Sequence, residues 1–138
     1  MTILAIPSMG NGGLSDTMSP RFGRCPSFTF VTIENDEIKA VKTVPNNAVN
    51  AMGGAGVQAA QTIGMNNAEA IVVGMLGPNA AQSLSALNIK MYQASNQNLT
   101  IKEIAESFIK GELKEISGPN VGSHYGMGGG RGMGRRNF

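Results

Sequence analysis

The stretch Ala70-Ile71-Val72-Val73-Gly74-Met75-Leu76-Gly77-Pro78-Asn79 decides how the rest of the chain is read. Its first five residues are wholly apolar, as in a strand buried on both faces, and Pro78 fits the first turn of a following helix. A second run of the same kind, residues 2–7 (TILAIP), opens the chain and is stopped by Pro7. Two such strands belong at the centre of one sheet, and the other elements are placed around them.

Between them, residues 8–24 form a polar loop rich in Gly, Ser and Pro. Loops this long in a small domain are more often functional than idle. Residues 27–33 alternate Phe28 and Phe30 with Thr29, Val31 and Ile33, and Glu34-Asn35-Asp36 turns the chain into a third strand over 37–44. Lys39 and Lys42 suit a sheet edge. A loop over 45–53 leads into a helix over 54–66, with Val57, Ala60, Ile63 and Gly64 on one face. After the strand at 70–74, the helix opened by Pro78 carries Ala80, Ala81, Leu84 and Leu87 inward, and 89–93 form a fifth strand. Thr100 and Glu103 have the spacing of a capping box for a last helix, with Ile101, Ile104, Ala105, Phe108 and Ile109 at helical spacing and Gly111 at its end.

The order β-β-β-α-β-α-β-α with right-handed crossovers gives an α/β fold: a mixed five-stranded sheet of order 3-2-1-4-5 with three helices, a topology resembling ribonuclease H. It brings to one rim residues 8–25, 46–56, 74–79 and the segment after Gln93. Two helix N-termini on that rim, at Gly53, Gly54 and Gly56 and at Gly77 and Asn79, aim backbone N–H groups at shared space and suit an anion, Pro78 itself having no N–H. Arg21 and Arg24 reach the same rim. Cys25, the single cysteine, reads in two ways: as a small buried apolar side chain, the commoner state of a lone cysteine, or as the one soft, strong metal ligand, its thiolate favoured by positive neighbours. Met9, Met18, Met52 and Met75 also fall in rim segments, as packing or as thioether donors.

Length and composition narrow the classes further. The 138 residues suit one domain over 1–116 with a Gly/Met/Arg-rich tail over 117–138, where eight of 19 glycines lie. Without the tail's three arginines the chain has eight basic and nine acidic residues, so nucleic acid is an expected partner only through the tail. No apolar run approaches a membrane span, and the short N-terminal apolar segment predicts a cytoplasmic chain without a signal peptide. The single histidine, His124, lies in the tail, which leaves the body without a Ser-His or Cys-His pair. Gly54-Ala55-Gly56-Val57-Gln58-Ala59 fits G-x-G-x-x-A but lacks the later acidic partner of a dinucleotide site. A two-metal nuclease needs clustered carboxylates, and the rim offers only Asp16.

Ser19-Pro20-Arg21-Phe22-Gly23-Arg24 before a Phe-rich strand, Gly53-Gly54-Ala55-Gly56-Val57-Gln58-Ala59-Ala60 at a helix start, and Gly74-Met75-Leu76-Gly77-Pro78-Asn79-Ala80 resemble the dinitrogenase iron-molybdenum cofactor biosynthesis family over about residues 1–116. The resemblance implies a ribonuclease H-like fold and a protein that binds or carries metal-sulfur clusters without turning over a substrate. It implies cluster donor and acceptor proteins as partners and leaves the oligomeric state open. Nitrogenase-associated members commonly carry His-Phe-Gly-His where this chain has Arg21-Phe22-Gly23-Arg24. Permanent cations there exclude a coordinate bond but still hold sulfides by charge-assisted hydrogen bonds. One related branch, the orange proteins, binds a molybdenum-copper sulfide cluster. The expected cofactor class is therefore an iron-, molybdenum- or copper-containing sulfide cluster, with Cys25 the candidate for direct ligation. A second reading is a regulatory or interaction module that binds a small anion or a partner protein on the rim, its basic tail contacting nucleic acid.

Overall fold

Strand β1 (Thr2–Ser8) runs between an antiparallel neighbour, β2 (Ser27–Glu34), and a parallel one, β4 (Ala70–Val73). This central position explains its apolar composition, because helices cover both faces of the sheet. The computed structural model describes residues 1–48, 54–94 and 99–119. Outside β2 lies β3 (Glu37–Pro45), an exposed edge strand joined to it by a turn in which Asn35 and Asp36 both have positive φ. Asn and Asp tolerate that left-handed region better than most side chains, and a two-residue turn of this kind matches the twist of a hairpin.

On the other side, β5 (Lys90–Gln93) pairs parallel with β4, and a sixth strand, β6 (Lys114–Ile116), pairs antiparallel with β5. The sheet order is β3-β2-β1-β4-β5-β6. The expected five-strand order is present and extended by one. Three residues, two of them charged and none fully buried, carry no alternation by which β6 is recognised in the sequence.

Helices α1 (Ala55–Met65) and α2 (Pro78–Ala86) pack on one face over Phe28, Phe30, Ile71 and Val73. Helix α3 (Ile101–Ile109) covers the other face over Leu4, Ile6, Val31 and Val72. The alternation in β2 thus sends its phenylalanines to one core and Val31 and Ile33 to the other.

Three details differ from the sequence reading. Strand β1 continues through Pro7 to Ser8, because its register with β4 covers only Leu4 and Ala5 and the Pro7 carbonyl accepts from Ser19 N–H at 2.9 Å. Leu87 ends α2 exposed rather than inward. Val57 is only partly buried, and Ala55 and Ala59 join Ala60 and Ile63 on the inner face of α1. Among the described residues, no helix is long and apolar enough to cross a membrane.

Candidate functional site

The loop from Met9 to Cys25 is fixed at both ends before it reaches the rim. Asp16 accepts from the N–H groups of Gly10, Gly12 and Thr17 at 2.8–2.9 Å, so this carboxylate closes its own loop and is no exposed base. Further on, Arg21 bridges to Met75, and Met75 N–H donates to Pro20 carbonyl at 2.9 Å. The Pro20–Arg21 backbone is thereby tied to the turn that leads into α2. Phe22 then turns inward, its ring 5.6 Å from that of Phe28, and anchors the next residues to the core.

Between this loop and the starts of α1 and α2 lies a cleft of about 410 Å³. Of the residues expected on the rim, Arg24, Gly56, Gly77 and Asn79 line it. Phe22 and Met75 line it as well, a soft side chain beside an aromatic one. Two close approaches shape it. A Cβ on Gly23 would stand 3.2 Å from Gly56 N, and a Cβ on Gly56 would stand 3.0 Å from Ala80 Cβ. Glycine at both positions lets the loop and the two helix starts meet.

The electrostatics of the cleft follow from what its helices lack. Gly54, the N-cap of α1, adopts a left-handed conformation, and Gly77 caps α2; neither helix has a side-chain cap or an acidic residue in its first turn. The N–H groups of Ala55 and Gly56 in α1 and of Asn79 and Ala80 in α2 have no acceptor among the described residues. These are the donors that a helix leaves over, at its positive end. With the Arg24 guanidinium, the lining offers hydrogen-bond donors and positive charge. Among the described residues no group of three or more His, Cys, Asp or Glu is placed to hold a metal ion. Such a donor set suits an anion that carries its own metal ligands and does not suit a bare cation.

Cys25 lies beneath the cleft, fully buried. Its Sγ donates to Phe22 carbonyl at 3.2 Å, and Asn46 Nδ2 approaches it at 3.8 Å. Burial pushes the thiol up to about 12. Of the two readings, the buried side chain is the one present and the thiolate is corrected: desolvation outweighs the backbone hydrogen bonds and the Asn46 contact that oppose it, and the thiol keeps its proton in the core. The other rim methionines divide. Met18 is core packing and Met9 is exposed outside the cleft lining. Arg21 is exposed beside the cleft but does not line it, and Gly54 stands at the start of α1 without lining it. Gly53, Met52 and His124 lie outside the described residues.

Asn46 is the site residue that sequence reasoning missed. Buried at the end of β3, it donates to Cys25 carbonyl at 2.9 Å and Gly23 carbonyl at 3.2 Å, and its Oδ1 accepts from Ala48 N–H at 3.0 Å. It holds the Gly23–Cys25 turn in place. Its only sequence signal is an asparagine directly after an edge strand, which reads equally well as a turn former.

A mixed sheet with helices on both faces and two glycine-capped helix starts over one cleft define a small α/β domain. Residues 2–111 match the family described as dinitrogenase iron-molybdenum cofactor, and the chain belongs to that family. An uncharacterised protein of Methanocaldococcus jannaschii is 37% identical over 102 residues, covering 74% of this chain and 85% of that protein. Among solved structures, the apo form of the orange protein from Desulfovibrio gigas superposes with a TM-score of 0.80 at 33% identity, covering 87% of this chain and 97% of its own. A Thermotoga protein provisionally assigned as NifB, solved by NMR, gives a TM-score of 0.71 at 30% identity, covering 85% and 95%.

Proposed function

We propose that this protein is a non-enzymatic carrier of an anionic metal-sulfur cluster or cofactor precursor, taken up in the cleft between Arg24 and the starts of α1 and α2. The observation that supports it most is the convergence of two uncapped helix N-termini and a guanidinium on one cleft lined by donors. A volume of about 410 Å³ is within the usual range for small-ligand sites, roughly 300–1,000 Å³.

In this reading capture is electrostatic. The N–H groups of Gly56, Asn79 and Ala80 donate to the terminal sulfides, Arg24 neutralises charge, and the Met75 thioether supplies a soft contact. Iron, molybdenum and copper are the candidate metals, and the family's name favours the first two. No protein-metal bond is required, so the cargo is released intact to an acceptor protein after delivery by a donor. Cys25 serves the fold and not the cluster.

Anaerobic reconstitution with iron, molybdate or copper plus sulfide tests this, followed by visible absorption and metal content. Stoichiometric uptake by the wild type, retained in Cys25→Ala and much reduced in Arg24→Gln, is the expected result. Failure of the folded wild type to take up any of these clusters overturns the carrier reading.

A further inference from the structure

Asn11-Gly12 is the one Asn-Gly step in the chain, and it lies inside the loop that Asp16 closes. Glycine after asparagine leaves its backbone nitrogen unshielded, so that nitrogen reaches the asparagine side-chain carbonyl carbon more easily than a residue with a Cβ allows. The fold requires this glycine. Its φ is +82°, and a Cβ there would stand 2.5 Å from Cγ2 and Oγ1 of Thr43 and 2.8 Å from Thr29 Oγ1. Asn11 is exposed, and its side chain makes no hydrogen bond to any described residue.

We infer that Asn11 is a site of slow self-modification and that the Asp16 carboxylate holds it in check. In the reaction the Gly12 nitrogen attacks the side-chain carbonyl carbon of Asn11 and a new C–N bond forms. The proton of that N–H passes through solvent to the side-chain nitrogen, whose bond to carbon breaks, and ammonia leaves a succinimide behind. Water, the only co-reactant, then opens the ring at either carbonyl to isoaspartate or aspartate.

Asp16 opposes the first step in two ways. Its Oδ2 accepts from Gly12 N–H at 2.8 Å and from Gly10 N–H at 2.9 Å, the residues on both sides of Asn11. The attacking nitrogen must give up a charge-assisted bond and lose its proton beside a carboxylate that repels the resulting anion. Holding Gly10 and Gly12 on one oxygen also fixes the backbone between them, so Asn11 does not turn freely into the geometry of attack. The product undoes this arrangement. Isoaspartate inserts a methylene group into the backbone between the two N–H groups that Asp16 holds, and adds a second carboxylate beside the first. The same loop offers the carbonyls of Leu14 and Asp16 to the start of α3, so modification loosens that contact.

The test incubates the full chain at mildly alkaline pH, folded and in urea, and follows each asparagine by peptide mapping that separates isoaspartate from aspartate. Asn11 is expected to convert to both products in urea and at least about tenfold more slowly in the folded chain, with folded Asp16→Ala regaining most of the difference. In the modified fraction, the amides of Ile101 and Lys102 are expected to exchange faster with solvent. Equal rates in folded and unfolded wild type overturn the proposal, and that comparison needs no variant. Aspartate without isoaspartate, which signals direct hydrolysis, overturns it too, as does no conversion of Asn11 in urea. Asp16→Ala that keeps the wild-type circular dichroism and converts no faster than wild type removes the carboxylate as the restraint. Unchanged exchange at Ile101 and Lys102 overturns the link to α3.

Discussion

Gly77 and Thr100 stand at the starts of α2 and α3 with nearly the same backbone geometry, φ −81° and ψ 171° against φ −73° and ψ 161°. At Thr100 the helix spends its leftover donors within the protein. Thr100 Oγ1 accepts from Glu103 N–H at 3.1 Å, Ile101 N–H donates to Asp16 carbonyl at 2.8 Å, and Lys102 N–H donates to Leu14 carbonyl at 3.0 Å. Glu103 completes a capping box and places a carboxylate in the first turn. At Gly77 there is no side chain to cap with, and a Cβ would meet nothing within 4 Å among the described residues. Sterics therefore leave room for the serine or aspartate that such a geometry favours. The difference shows that the start of α2 is left uncapped by composition and not by lack of room, and in the proposed function these are the donors offered to an anion.

The largest expected effect tests whether the layer beneath that cleft is protein interior or ligand site. With its thiol pushed up to about 12 from an ordinary 9.0, Cys25 keeps its proton in the folded state where the unfolded chain loses it. Stability is therefore unaffected below about pH 9 and falls as pH rises towards 12, with a limiting slope of about 1.4 kcal/mol per pH unit. Denaturant titrations of wild type and Cys25→Ala across this range measure it, and the variant is expected to lose that part of the slope. A native thiol that reacts promptly with a thiol reagent at pH 8 would contradict this account.

Next in size is the clamp. Asn46→Ala removes one donor group and one acceptor from buried backbone partners and is expected to cost about 1–3 kcal/mol. Faster alkylation of Cys25 should accompany the loss as the Gly23–Cys25 turn loosens; unchanged stability and alkylation would remove Asn46 from the framework of the cleft.

The two helix starts then give opposite predictions. Thr100→Ala breaks the capping box and should lower stability by about 1 kcal/mol with uptake of tetrathiomolybdate unchanged. Gly77→Asp supplies α2 with the cap and dipole partner it lacks, for a gain of about 0.3–1 kcal/mol, while the new carboxylate repels an anion from the cleft. A variant more stable than wild type that no longer binds tetrathiomolybdate is the signature of a site maintained against stability. Equal binding by Gly77→Asp would show that the open N-terminus of α2 has no part in capture.

The same contrast explains what was legible in the sequence. The two central strands, Pro78 at the start of α2 and the Thr100–Glu103 pair are each set by neighbours a few residues apart, and each is present in the structure, the strands with ends that differ by one residue from the reading. The convergence of residues 22–24 with the starts of α1 and α2 followed from sheet order alone, and Arg24, Gly56, Gly77 and Asn79 meet there. Burial set by distant partners was not legible. Cys25 depends on Asn46, 21 residues away, and on packing beneath two helices, so its neighbours in sequence left the buried thiol and the exposed thiolate both open. Asp16 stood out as a lone acid on the rim, yet its oxygens are taken by backbone N–H groups of its own loop. The short, charged β6 had no apolar pattern to announce it.

The most direct test of the central claim follows backbone amide signals of the full chain during anaerobic titration with tetrathiomolybdate. Saturable shifts are expected at Gly56, Gly77, Asn79 and Ala80, with Lys102 and Glu103 unmoved because their N–H groups are already engaged. Shifts confined to the α3 end, or none at the starts of α1 and α2, would contradict it.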